Sequence, residues 1–257
     1  MLPDKVIYVY SGKGGVGKST LSVNLAYAMS LEGYKVGLFD ADLSGSSVPI
    51  MIGKLEEKKP SFDNFKIIPG EYGGIYCNSL GFITEPVEGG YWHGKYLEGV
   101  LNQLLFETDW NDSEVLVIDL PPGINEVHRN LFSRLNGKCI IVTTPQDLSY
   151  IDTIRGMEML NRFKIDMIGV VENMSHYVCE CGQVDKVFKG DTKKNLCEPF
   201  NLELLLKIPL NSKISQYSNR GIPFIINDTS DESSALRELS KLVVINYDSY
   251  KTVRPTN

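Results

Sequence analysis

The segment SGKGGVGKST, Ser11 to Thr20, places two lysines among four glycines. Gly12, Gly17, Lys18 and Ser19 match G-x-x-x-x-G-K-[ST], the spacing that lets backbone N–H groups turn inward around phosphate oxygens. In that arrangement Lys18 reaches the β- and γ-phosphates and Ser19 ligates magnesium. Acidic residues supply the rest of what phosphoryl transfer needs. Asp40 and Asp42 lie two apart at the end of an apolar run and so project to one side. One can hold the metal's water shell while the other orients an attacking water. Asp119 closes another apolar run and leads into LPPG, a stiff turn whose Gly123 N–H is placed to sense a terminal phosphate. Magnesium prefers hard oxygen ligands and keeps several waters, which ties these carboxylates to the phosphates. Lys13 is surplus to the pattern. A phosphoryl-transfer transition state gathers negative charge, and a neighbouring subunit can supply the compensating cation. Lys13, at the start of the loop, would have that reach across a two-fold axis; the alternative is a solvated loop lysine.

Such groups must be delivered by strands that end at one edge. KVIYVY (Lys5 to Tyr10), KVGLFDAD, EVLVIDLPPG, KCIIVTTP, DMIGVVEN and LLLKIPL are apolar runs separated by helical patterns. They predict an α/β fold: a doubly wound, mostly parallel sheet with helices on both faces. Helices are expected over STLSVNLAYAMSLEG, ending at Gly33, and over about 148–162. Open parallel sheets bind ligands beyond the carboxyl ends of their strands, where the polar and glycine-rich residues of this chain gather. Residues 1–257 are read as a single domain. The glycine-rich stretch at about 54–94 is read as a surface insertion. The tail at about 245–257 is read as an extension, with VVINYDSY β-like.

The 257 residues are 42% hydrophobic and 23% charged, ordinary for a globular chain, and carry a net charge of −6. That balance disfavours a nucleic-acid surface, and no apolar run has the length of a membrane span. Five cysteines, an odd number, with no export signal, predict a reducing compartment, the cytoplasm, and argue against a disulfide framework.

KGGVGKST resembles the deviant phosphate loop of the MinD/ParA/Mrp class of dimeric ATPases, P-loop NTPases of the SIMIBI type. Within that class, DADLSGSSVPIMIG, VIDLPPG, IVTTPQD and GVVENMSHYVCECG resemble the Mrp/ApbC branch of iron–sulfur cluster carriers. The likeness runs in one order from about Lys5 to Phe224. It implies an ATPase that binds and hydrolyses ATP as a homodimer, with a [4Fe–4S] cluster bridged at the interface and handed to apo client proteins, without nucleic acid or membrane. It implies that Gly12, Gly14, Gly15, Val16, Gly17, Lys18, Ser19, Thr20, Asn173 and Pro209 hold nucleotide, with Asn173 at the adenine. Lys13, Lys18 and Asp42 would act in catalysis, Asp42 with Asp40 serving the water and switch. Ser19, Asp40 and Asp119 would serve magnesium. Cys179 and Cys181 would ligate the cluster. A membrane- or DNA-associated spatial organiser like MinD or ParA is the alternative, and an ATP-driven electron donor like nitrogenase iron protein ranks behind it.

The sequence departs from the family in one place. Members typically carry C-x-x-C after ENMS, one pair per subunit; here it is Cys179-Glu180-Cys181. Thiolates bind iron–sulfur clusters and also zinc, so zinc is an alternative occupant. His176 and Cys197 are alternative ligands. Cys77 and Cys139 fall in apolar runs and are expected to be structural. The chain is read as a minimal ATPase core, without a cysteine-rich extension before the loop.

Overall fold

The computed structural model describes residues 2–63, 66–83, 95–179 and 181–249. Nine strands form one sheet: β1 (Lys5–Tyr10), β2 (Val36–Asp40), β3 (Glu56–Lys58), β4 (Gly70–Tyr72), β5 (Ile75–Ser79), β6 (Val115–Asp119), β7 (Lys138–Thr143), β8 (Asp166–Asn173) and β9 (Leu204–Ile208). Their order is β9-β8-β7-β1-β6-β2-β5-β4-β3. Every pairing from β9 to β5 is parallel; β4 and β3 extend the edge antiparallel. The main helices are α1 (Lys18–Leu31), α2 (Lys95–Phe106), α3 (Glu126–Arg134), α4 (Asp147–Arg162), α5 (Ser212–Asn219) and α6 (Asp231–Ser249).

Strand alternation divides the core in two. Ile7 and Val9 of β1 join α1 and α6 on one face of the sheet. Val6, Tyr8 and Tyr10 join α2, α3 and α4 on the other. Because both faces are covered, β1 can be apolar at almost every position, and that is why its run reads as continuous rather than alternating.

Two expectations are corrected. The stretch at 54–94 is not wholly a surface insertion: β3, β4 and β5 belong to the main sheet, and Cys77 within β5 is fully buried. Polar residues hid this strand. Asn78 is buried but donates to the Leu104 carbonyl and to Thr108 Oγ1, at 2.9 and 2.8 Å, while Ser79 is spoken for by Asp40. Only Ser61–Asp63 and Lys66–Ile68 form a separate hairpin; the part at 84–94 lies outside the described residues. Nor is VVINYDSY β-like, for α6 runs through it to Ser249. Its buried residues Leu236, Leu239, Val243 and Val244 recur at helical spacing, and that packing overrides the strand preference of the β-branched residues. Tyr247 fixes the far end: its hydroxyl accepts the Val6 N–H at 3.2 Å and its carbonyl accepts Lys138 Nζ at 2.7 Å. Residues 250–257 lie outside the described part.

Candidate functional site: a phosphate loop beside a cysteine hairpin

At the carboxyl ends of β1, β2, β8 and β9 lies a cleft of about 440 Å³. The phosphate loop, between β1 and α1, forms its floor. Lys13, Gly14, Gly15, Gly17, Lys18, Ser19 and Thr20 all line it, together with Asp42, Asn173 and Pro209. Val16 does not, since its side chain is buried in the core; its backbone closes the loop. Gly12 is also buried, and a methyl group there would lie 2.3 Å from the Thr153 nitrogen of α4. Gly17 has φ 89, a left-handed conformation that favours glycine, and a methyl group on it would come within 2.1 Å of Asn173 Nδ2. These two glycines exist because backbone and side chain press on the loop from outside.

Lys18 is buried, with its ammonium 2.7 Å from Asp119 Oδ1 and 3.2 Å from Ser19 Oγ. Ser22, one turn along α1, donates to the same carboxylate oxygen at 2.7 Å. Ser22 carries no motif signature, and the sequence reading missed it; its one visible trace is a position four residues after Lys18, on the same helix face. Asp119 Oδ2 is buried and has no hydrogen-bond partner among the described residues. Lys18 bonds both Asp119 Oδ1 and the Ser19 hydroxyl, and with Oδ2 left over these oxygens are a hard-oxygen set that fits a hydrated magnesium ion.

Asp40 departs from its expected place. Like Asp119, with which it pairs in register, it is fully buried and does not line the cleft; unlike Asp119, it has both carboxylate oxygens taken up by neighbours. Its carboxylate accepts Ser79 Oγ and the Asp42 N–H, each at 3.1 Å. Burial, then the adjacent Asp119 carboxylate, pushes its pKa up to about 8. Asp42 does reach the cleft, and its pKa is also raised, chiefly by burial. The two aspartates therefore do not share one side, because the chain leaves the strand between them. Gly123, with φ 73, gives its N–H to the Ser11 carbonyl at 3.0 Å. The turn after β6 is thus docked on the start of the loop. Lys13 is exposed at the cleft rim, and its ammonium makes no hydrogen bond or ion pair among the described residues.

Behind the Gly123 turn, Asn125 caps α3, and its backbone N–H bonds His128 Nδ1 at 3.2 Å. His128 is fully buried, and burial lowers its pKa to about 4. An unfolded chain binds this proton near pH 6.5 and the folded one near 4. The folded state therefore loses stability as pH falls from 6.5 to 4, by on the order of 3 kcal/mol in full. Asp40, with its raised pKa, slopes the opposite way over this range. Glutamine at this capping position can still accept the Asn125 N–H. We expect His128→Gln to lack this acid-side loss, read as the difference in urea-unfolding free energy between the two proteins at pH 7 and pH 4.5, in which the Asp40 contribution cancels.

Just beyond β8, the strands Tyr177–Val178 and Val184–Asp185 pair as a small antiparallel hairpin. Cys179 and Cys181 occupy its turn, joined through their sulfurs, with Cα atoms 5.3 Å apart. Cys197 is buried, and burial followed by Glu172 raises its thiol to about 11. It is a poor thiolate donor in this setting. His176 bonds Ser175 Oγ through Nδ1 at 2.8 Å. Cys77 and Cys139 are buried with thiols held protonated by desolvation, and are structural as expected. Among the described residues no group of three His, Cys, Asp or Glu side chains could hold a metal ion.

A family model described as ParA, the NUBPL iron-transfer P-loop NTPase, matches residues 3–244. The chain belongs to this family. The NTPase is 37% identical over 241 residues to the iron-sulfur cluster carrier protein of Haemophilus influenzae, covering 93% of this chain and 65% of that protein. It is 34% identical over 262 residues to the iron-sulfur cluster transfer protein NUBPL of Dictyostelium discoideum, covering 98% and 81%. Among solved structures, an Archaeoglobus fulgidus nucleotide-binding protein in complex with ADP superposes with a TM-score of 0.71 at 31% identity, over 84% of this chain and 86% of that one. Pyrococcus horikoshii MinD, complexed with Mg-ADP, gives a TM-score of 0.68 at 20% identity over 94% and 98%; at that identity it shows the fold alone. The NTPase spans only 65% of the length of the Haemophilus carrier. Among the described residues no helix is long and apolar enough to cross a membrane.

Proposed function

We propose that this NTPase is an ATP-dependent iron–sulfur cluster carrier that works as a homodimer in the cytoplasm and hands its cargo to apo client proteins. The observation that carries the reading is the hairpin with two adjacent sulfurs, rooted on the strands that wall the nucleotide cleft. A [4Fe–4S] cargo takes four thiolates. Each chain presents Cys179 and Cys181, so two copies face to face complete the set.

In the nucleotide half of the cycle, Lys18 leaves Asp119 for the incoming β- and γ-phosphates. Ser19 and the freed Asp119 carboxylate would then hold magnesium, which neutralises phosphate charge when bound. Asp42, on the cleft wall, orients the attacking water, and Lys13 of the partner copy meets the charge that builds at the transferred phosphoryl group. ATP and its hydrolysis products favour different arrangements of the two copies, and only through such a difference can nucleotide drive hold and release of the cluster.

Reconstitution with iron and sulfide under anaerobic conditions, after thiol reduction, tests the cargo assignment. Wild type is expected to turn brown and to retain about four irons per dimer. The Cys179→Ser, Cys181→Ser double variant is expected to stay colourless while binding ADP as before. A colourless wild type, or a brown double variant, refutes the assignment.

A further inference from the structure

The phosphate loop is held from outside by two hydrogen bonds that its motif does not foretell. One is the Gly123 N–H to the Ser11 carbonyl. The other is Asn173 Nδ2 to the Val16 carbonyl, at 2.8 Å. The second reaches in a different direction. Asn173 is the last residue of β8, and Cys179 follows six positions later in the sequence. The chain between them is pinned. Met174 takes a left-handed conformation, φ 54. Ser175 is buried and gives both its N–H and its hydroxyl to the Ile208 carbonyl, at 2.9 and 3.0 Å. His176 accepts the Leu210 N–H at 2.7 Å. Beyond it the hairpin begins, closed by the Cys179 N–H to the Gln183 carbonyl at 2.9 Å. Asn173, Met174, Pro209 and Leu210 all line the cleft. From the loop to the sulfurs there is thus a short, continuous series of hydrogen-bonded backbone.

The geometry points to Asn173 as a positioning residue that couples the phosphate loop to the cysteine hairpin; this rests on reading the cleft as the nucleotide site. Phosphates drawing the loop's N–H groups inward move the Val16 peptide, and the Asn173 amide carries that movement to the base of the hairpin. The fit is close: only because Gly17 has no side chain can the Asn173 amide reach the loop, since a methyl group there would lie 2.1 Å from its Nδ2. The same tie works in reverse: whatever binds the sulfurs alters nucleotide affinity by the same factor.

The test uses the reduced, metal-free full chain and a maleimide, with labelling of each cysteine followed by peptide mass. Cys77, Cys139 and Cys197 are buried and serve as silent internal controls. In wild type, saturating Mg-ADP is expected to change the labelling rate of Cys179 and Cys181 by roughly fivefold or more. Asn173→Asp keeps the shape and removes the donor; Asn173→Ala removes the side chain. Both are expected to bind ADP more weakly, and at saturation to label at a rate indifferent to nucleotide. A wild-type rate that ignores nucleotide overturns the coupling, as does a variant that responds like wild type. Failure of both variants to bind millimolar ADP also overturns it, because Asn173 would then belong to nucleotide binding alone. Light scattering on the same samples separates this from the dimer: a nucleotide-sensitive monomer keeps the coupling and removes the two-copy carrier, whereas an insensitive dimer does the opposite.

Discussion

Lys18→Met is expected to abolish ADP binding and, separately, to destabilise the nucleotide-free protein by about 3 kcal/mol. The two losses have different origins. Phosphate binding needs the ammonium at the loop's end, and methionine offers none. Stability is lost because Lys18 is the only cation bonded to the buried Asp119 carboxylate among the described residues, and Ser22 alone is left to solvate it. Replacing both members of a buried pair by neutral groups is often close to neutral. Lys18→Met with Asp119→Asn should therefore recover most of the urea-unfolding free energy while ADP binding, read by calorimetry, stays absent. If the double variant is no more stable than the single one, the ion pair is not what holds this part of the core. Nucleotide adds a further check. Excess ADP stabilises wild type by about 2.7 kcal/mol at a hundred times its dissociation constant, and should leave both variants unmoved.

Much of this site was legible because its residues obey a local rule. Gly12, Gly17, Lys18 and Ser19 stand at fixed spacing between a strand and a helix, and in the structure Lys18 and Ser19 open α1 and line the cleft. Six of the sheet's strands were visible as apolar runs for a related reason: burial on both faces demands apolar residues throughout. What stayed hidden depends on partners distant in sequence. β5 carries Asn78 and Ser79, which look like loop residues until Thr108 and Asp40 are brought beside them. Ser22 acquires a role only because Asp119 is folded against α1. Asp40 and Asp42 read as a matched pair, yet the chain turns between them, and only Asp42 opens to the cleft. The helical course of α6 could not be inferred from VVINYDSY alone, whose residues favour strands, since it is set by the surface on which α6 packs.

Lys13→Ala should lower the rate of ATP hydrolysis by about a thousandfold, the scale of a charge supplied in trans at the transferred phosphoryl group, while leaving ADP affinity of the single chain near its wild-type value. The side chain is exposed at the cleft rim and bonded to nothing among the described residues, so its removal should cost little stability. Dependence on a second copy can be isolated by mixing. Lys13→Ala retains a working phosphate loop but no trans lysine; Lys18→Met keeps Lys13 but binds no nucleotide. Neither hydrolyses ATP alone. In a mixed dimer the nucleotide on the Lys13→Ala chain faces the intact Lys13 of the Lys18→Met chain, and one competent site is restored. At equal concentrations half of the dimers are mixed and each carries one site, so activity should recover to about a quarter of wild type. A lysine acting on its own chain's nucleotide gives no recovery at any ratio, because the chain that binds ATP would still lack it.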